Sequence, residues 1–449
     1  MEMGTQRYPE QPFVLRLQDP TVILPHSVID EVKSLPSSIV SLEANNYRRF
    51  FGRYTLMGLP SHEFVTSIKH DLTRHVGNLL PEMVEETGYA TNIVMGSSSG
   101  PDKIVLPVYQ TMLQYIALLS GRAFIGLPLS RDEQWIHSSI QYAVESVAAS
   151  HQLRSYPASL RRLVAPFLPR IWRVREHQKK VRMLLRDIIV NEQQTAHSNA
   201  HEPPQKGPLA FWLRGHYQQS GSPPTETALT KDHLLASFAA IHIATNAVTQ
   251  VLLDLAARPE YQEALRQEIT AILGTTSWAR SITIANLNRM VKLDSFIKES
   301  LRISPPGGVV TMMRQTMVPF TPSCGPTLPP GTLIAFANNR FDLSTKPRYD
   351  PNEFDGFRFA EERQRDDGET KVQLITPNAD SLTWGYGSHA CPGRLFAACE
   401  IKVIAIYFLI HFDMQIKDGA ARPPSTSHDF QIMPDMDAQI SFRRRQRYT

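Results

Sequence analysis

The chain has 449 residues, 42% hydrophobic and 20% charged, which is enough to bury a large core and excludes a disordered, collagen-like or many-span membrane protein. Its 47 basic against 43 acidic residues give a formal charge of +4, too slight a bias to suggest a nucleic-acid partner. Three cysteines, Cys324, Cys391 and Cys399, form no close CxxC pair and no disulfide framework, which fits a reducing compartment.

The opening segment, MEMGTQRYPEQPFVLRLQDP, holds no apolar run near the roughly 20 residues of a spanning helix, so no N-terminal anchor is expected in the chain as it stands. Residues 12–60 mix short strand-like runs, Phe13 to Leu17 and Val22 to Leu24, with prolines, and predict a small β-containing lobe. Apolar residues then recur at spacings of three and four over 62–86, 104–121, 129–150 and 157–196, the signature of amphipathic helices. Residues 197–228 are polar and rich in proline, a long surface loop interrupted by one short apolar helix or turn. From Thr230 or Asp232 to Leu255 the chain is apolar or small almost all round, as in a helix buried through the centre of a protein. Helices follow over 259–273 and 286–303; residues 309–336 turn strand-like, and Pro392 to Phe412 forms a last apolar helix.

Two basic clusters, Arg170 to Arg186 and the tail Arg443-Arg444-Arg445-Gln446-Arg447, could face an anionic membrane surface as a peripheral contact. The plainer reading is a solvated helix face and a frayed tail.

The chemistry concentrates in Trp384-Gly385-Tyr386-Gly387-Ser388-His389-Ala390-Cys391-Pro392-Gly393-Arg394. Gly385 and Gly387 permit tight turns and close approach to a flat object, and Gly393 keeps space clear after the cysteine. With Pro392 at the first helical position, Cys391 would sit at a helix N-terminus, whose partial positive charge favours the thiolate. A thiolate suits a haem iron that must activate dioxygen.

This segment resembles the cysteine loop of the cytochromes P450, F-G-x-G-x-R-x-C-x-G, at both early glycines, the cysteine and the late glycine. Trp384 stands where Phe is usual, and His389 where an arginine normally meets a haem propionate. Glu299-Ser300-Leu301-Arg302 matches the family's E-x-x-R, and the resemblance implies that Arg358 completes a structural triad with it. Arg314 lies at a strand position where the family places a propionate-binding arginine; Arg74 and His75 are weaker candidates for the other propionate. In the central helix Ala239-Ala240-Ile241-His242-Ile243-Ala244-Thr245 aligns His242 with the family's acid and Ile243 with its threonine, so that hydroxyl is missing. Thr245, two residues on at roughly 100° per residue, points elsewhere. His242 has two readings, a proton relay and a core histidine satisfied by a backbone carbonyl.

The resemblance implies a mainly α fold with small β-sheets, a single cytochrome P450 domain over 1–449 with haem b between the long central helix and the cysteine-loop helix. Cys391 would be the metal ligand and, with His242, the catalytic pair; Cys391, Arg314, His389, Trp384, Gly385 and Gly393 would bind the cofactor. The motif spacing looks most like fungal enzymes of secondary metabolism. It implies a monooxygenase using dioxygen and electrons from NADPH-cytochrome P450 reductase on a bulky hydrophobic terpenoid, indole alkaloid or polyketide. Residues 307–313, the helix face around Phe238 and His242, and the loop from Ser41 to His62 would line its pocket. Oxidative coupling, ring closure or desaturation without oxygen insertion is the alternative chemistry within the fold, and a haem-binding protein without turnover, a ligand sensor or degenerate copy, is the alternative from another functional class. Such enzymes lie on the cytoplasmic face of the endoplasmic reticulum when anchored; the chain as given reads as soluble and cytoplasmic.

Overall fold

The computed structural model describes residues 1–17, 19–96, 103–195, 207–221, 225–275, 278–341, 350, 352–365 and 372–445, and among them helices dominate over ten short strands in three sheets. They divide into two units. One comprises Met1–Leu42, Met83–Tyr115 and Ile243–Thr449; the other comprises Glu43–Glu82 and Ile116–His242.

The strands all belong to the first unit. In chain order they are β1 (Phe13–Leu15), β2 (Thr21–Leu24), β3 (Val40–Ser41), β4 (Lys103–Pro107), β5 (Val310–Thr316), β6 (Leu333–Ala337), β7 (Phe412–Ile416), β8 (Thr426–His428), β9 (Gln431–Met433) and β10 (Gln439–Arg444). The largest sheet runs β1-β2-β6-β5-β3. Its centre is β6, whose unbroken apolar run Leu-Ile-Ala-Phe-Ala is buried at every residue, as a strand covered on both faces must be. β6 runs parallel to β2 and antiparallel to β5, where the register shifts between Thr311 and Arg314 and Met312 takes a left-handed φ of 52°. That bulge re-aims the side chains on either side of it. The second sheet, β4-β10-β7, packs on aromatic rings: Phe408 lies 5.2 Å from Phe442 and 5.6 Å from Phe412, and Tyr115 lies 5.5 Å from Phe408. All four are fully buried, each contributing about 1.5–3 kcal/mol of burial and fixing the C-terminal part of the helix Arg394–His411.

The second unit is helical. Glu133–Arg154 packs along Pro169–Thr195, with Arg170 and Arg173 both reaching the nearly buried Glu145 at 2.9 and 3.2 Å. His233, 2% exposed, stands edge-on to Trp135 with its Nδ1 buried and unpartnered among the described residues. Burial pushes its pKa down to about 4. The unfolded chain takes up that proton near the ordinary histidine value, so between pH 6.5 and 4 it binds more protons than the folded chain. Stability therefore falls as pH falls, by about 3 kcal/mol across that window. Thermal melts of His233→Phe should show a flatter acid limb; an unchanged slope would place the acid sensitivity elsewhere.

Several boundaries differ from expectation, each for a local reason. Residues 104–107 extend as β4 instead of opening a helix, because Ile104, Val105 and Leu106 pair with β10; the helix is Val108–Phe124. The stretch 157–196 is broken near Pro166 and Pro169 into a short helix Arg161–Val164 and the long one from Pro169. The 62–86 helix runs on to Met95 through a π-helical turn at Ser67–Leu72. A break at Met290 divides 286–303 into Ile284–Arg289 and Val291–Ile303. Within the polar stretch 197–228 the short helix is Leu209–Gln219, while 197–206 and 222–224 lie outside the described residues. The basic tail is no frayed end as far as Arg445: Arg443 and Arg445 pair with Asp413 at 3.1 and 2.9 Å, and Arg444 donates to the Met95 carbonyl.

The central helix is Glu226–Ala257, and among the described residues it is the one long and apolar enough to cross a membrane. Two-thirds of its apolar window is buried within the protein, the property of a core helix.

Candidate functional site

An ion cluster is built on the helix Val291–Ile303. Glu299, fully buried, accepts from Arg302 Nε at 2.7 Å and Nη2 at 2.8 Å, the forked geometry that i,i+3 spacing permits. Arg358, 4% exposed at its side chain, brings Nε to 3.3 Å from Glu299 Oε1, an ion pair by distance. Asp355 N–H donates to the same oxygen, and the two arginines converge on the Glu353 carbonyl. The three charges expected together are together.

The predicted cysteine loop is Trp384 to Gly393. Trp384 Nε1 donates to the Leu374 carbonyl, and the Trp384 carbonyl accepts from Cys391 N–H at 2.7 Å, closing the loop on itself. Gly385 and Gly387 have φ of 70° and 78°, a region L side chains rarely adopt. At Gly387 a Cβ would also lie 2.1 Å from the Lys33 carbonyl oxygen, so glycine is required there twice over. Lys33 grips the loop further: its carbonyl accepts from Ser388 N–H, and its Nζ meets the Tyr386 hydroxyl at 3.0 Å and lies over that ring. Nothing in the sequence singled out Lys33.

Cys391 is half-buried and unpaired by disulfide. The helix begins at Arg394 with Gly393 as its N-cap, not at Pro392, so the cysteine stands outside the helix. Burial pushes its thiol up, with the Gly393 N–H and the Arg394 charge acting the other way. The helix end therefore does not by itself produce the thiolate expected from the sequence. Arg394 holds the loop's exit by donating to the Cys391 and Ile375 carbonyls at 3.0 and 3.2 Å. His389 ends the 3-10 turn Gly387–His389 and is half-buried.

Arg314 belongs to the same unit. It is 4% exposed on β5, just past the bulge, and its Nη1 donates to the Met313 carbonyl at 2.9 Å. Thr311, before the bulge, donates to the Leu382 carbonyl and so joins this strand to the lead-in of the cysteine loop. Of the weaker candidates, Arg74 is exposed and His75 stacks on Trp212 at 5.4 Å, both in the other unit.

On the central helix, Ala239 and Ile243, four residues apart, are exposed between residues that are buried or half-buried, with Ile243 at 49%. From Ala228 to Ala257 these are the two exposed residues; Glu226 and Thr227 at the start of the helix are exposed as well. Thr245 is fully buried and turned away from Ala239 and Ile243, as the helical period requires. His242 places Nε2 3.2 Å from the Ile140 carbonyl, which accepts its proton; burial lowers the ring's pKa, so the side chain is neutral near pH 7.

The sequence model of the cytochrome P450 family matches residues 105–442 of this chain. The chain belongs to the cytochrome P450 family. It is 35% identical to the cytochrome P450 monooxygenase gliF of Aspergillus fumigatus over 99% of this chain and 89% of that one. It is 33% identical to the monooxygenase ascG of Acremonium egyptiacum over 99% and 88%. A cyanobacterial P450 solved with retinoic acid bound shares the fold at TM-score 0.72 and 18% identity, covering 99% of this chain and 94% of its own. The mainly helical fold with small sheets is thus the P450 fold, and the chain is an oxidoreductase of the monooxygenase type that works with dioxygen, a redox partner and a small-molecule substrate. That membership sets aside the reading of a haem protein without turnover.

The cofactor of a P450 is haem b. The residues here fit it by their chemistry. Cys391 offers a soft sulfur ligand at the tip of a rigid loop, and a Cβ added at Gly393 would meet nothing within 4 Å, so a flat group can approach. Arg314 offers a buried planar cation for a carboxylate.

Proposed function

We propose that the whole chain acts as one P450 domain that hydroxylates or epoxidises a bulky apolar secondary metabolite, a terpenoid, indole alkaloid or polyketide. NADPH-cytochrome P450 reductase supplies the electrons. Haem, when bound, supplies the activation of dioxygen. Cys391 holds its iron, Arg314 and His389 take its propionates, Trp384 packs beside the sulfur, and Gly385 and Gly393 leave room for the ring.

An apolar occupant is supported by the exposed Ala239 and Ile243 of the central helix, an apolar face that suits the flat haem and an apolar substrate alike. That the relatives are fungal monooxygenases supports the same reading. His242, neutral and held by the Ile140 carbonyl, has the setting of the core-histidine reading, and the relay reading in place of the missing acid rests on the family alignment alone. The second reading is oxidative coupling or desaturation. Ile243 favours it, since no hydroxyl stands at that position to steer a proton.

Peripheral membrane contact, at the cytoplasmic face of the endoplasmic reticulum, is supported by Leu163, Phe167 and Trp172, which are 67%, 81% and 64% exposed beside Arg161, Arg162 and Arg175. Large apolar side chains interleaved with arginines suit an anionic interface.

The test compares the carbon monoxide spectrum of the reduced protein in wild type and Cys391→Ser. A red-shifted Soret band that vanishes in the variant is expected; a band like that of histidine-ligated haem in both would overturn the assignment. Ile243→Thr then separates the two reactions. Under the monooxygenase reading it raises the fraction of NADPH converted to hydroxylated product several-fold. Unchanged coupling and unchanged products would remove proton delivery at this position from the account.

A further inference from the structure

In the first unit, a cavity of about 400 Å³ lies where the helix Val291–Ile303 ends against the β8–β9 hairpin. Its lining combines apolar Ile303, Val309, Phe341 and Ile432 with Arg340, Arg422, Ser304 and Ser425. The two arginines are in different positions electrostatically. Arg422 is committed, with Nε at 2.6 Å from Asp254 Oδ1 and Nη2 at 2.6 Å from Gln250 Oε1. Asp254 is itself saturated by Arg258 at 2.7 Å and Ser300 at 2.6 Å, and Arg302 is held by Glu299.

Arg340 has no carboxylate within ion-pair distance among the described residues. Its Nη1 donates to the Ile303 carbonyl, and its Nη2 reaches the neutral Asn352 Oδ1 at 3.4 Å. Its Nε is closed from solvent with no acceptor among the described residues. Burial and the like charges of Arg302 and Arg422 disfavour its charged form, and Glu2 acts on it only through the field. A guanidinium so placed lacks the counter-charge that buried cations ordinarily have.

We infer that this cavity binds a small organic carboxylate, with the carboxylate on Arg340 and the apolar body against Ile303, Val309, Phe341 and Ile432. The planar fork matches a carboxylate in two parallel hydrogen bonds. A bare inorganic anion would leave the apolar lining uncovered, and a neutral ligand would leave the charge unmet. An occupant would also brace the hairpin, whose Ile432 carbonyl accepts from Asn246 of the central helix at 2.7 Å. The site is separate from the Cys391 loop, so its failure would leave the haem assignment intact.

Calorimetric titration and thermal melts of the haem-loaded protein with benzoate, against benzyl alcohol at equal ionic strength, test this. Benzoate should bind and raise the melting temperature, and benzyl alcohol should do neither. Arg340→Gln should weaken benzoate at least tenfold. Thr426→Trp, which fills the mouth from an exposed rim position and keeps every arginine, should do the same, and decides the matter if Arg340→Gln fails to fold. No benzoate binding, equal binding of the alcohol, or unchanged benzoate affinity in Thr426→Trp would overturn the proposal.

Discussion

Glu299→Gln should destabilise the protein by about 3–5 kcal/mol, the cost of leaving a buried charge without its partner. The substitution keeps the shape of the side chain and removes only its charge. Arg358 at 4% and Arg302 at 18% side-chain exposure would then face each other across a neutral amide, with too little water to replace the carboxylate. The Asp355 N–H, which donates to the same carboxylate, would lose the charged acceptor that fixes the start of the segment leading into Arg358. The same change at Glu361, paired with Arg365 where both are more than half exposed, should cost less than about 1 kcal/mol. Urea unfolding of the two variants side by side checks the contrast. Equal midpoints would mean that the Glu299 cluster is no more than a surface pair in energy.

Gly387→Ala should be nearly as damaging and should act on the site itself. A left-handed φ of 78° costs an L residue roughly 1–2 kcal/mol, and the added Cβ at 2.1 Å from the Lys33 carbonyl forces a further displacement of about 1–3 kcal/mol. Neither neighbour can give easily, since the contact is backbone on backbone and Lys33 also holds Ser388 and Tyr386. The expected result is a displaced cysteine loop: lower haem content and a carbon monoxide band shifted from the thiolate position, with the fold of the rest retained. Gly393→Ala is the control. Its φ is −89° and the space beside it is open, so protein stability should change by less than about 1 kcal/mol. In the haem-free protein the two alanines should differ in stability, and equal losses would mean that the contact with Lys33 does not govern the loop; haem loading is not the readout for Gly393→Ala, because that glycine is itself assigned room for the ring.

Sequence alone determined the helical character of the chain, the central helix and the cysteine loop, because each rests on information local to a few turns. Apolar spacing reports which face a helix buries, and glycines at 385, 387 and 393 report where a backbone must turn or leave room. The ion cluster was legible in part: Glu299 and Arg302 share a helix face by spacing, whereas Arg358 came only from family resemblance and reaches them through the tertiary fold. Residues 104–107 were read as helix because Ile, Val and Leu fit either period, and pairing with β10 decided for a strand. The start of the last helix at Arg394 was set by the loop's own hydrogen bonds, which outweighed proline's preference for the first turn.

Only the tertiary structure could supply the Lys33 clamp, the Ile140 carbonyl that holds His242, and the lack of a carboxylate beside Arg340 among the described residues. The physical reason is common to all three. A hydrogen bond or an unmet charge between residues far apart in the chain leaves no period and no spacing to read, and exists only once burial has removed the water that would otherwise have served either group.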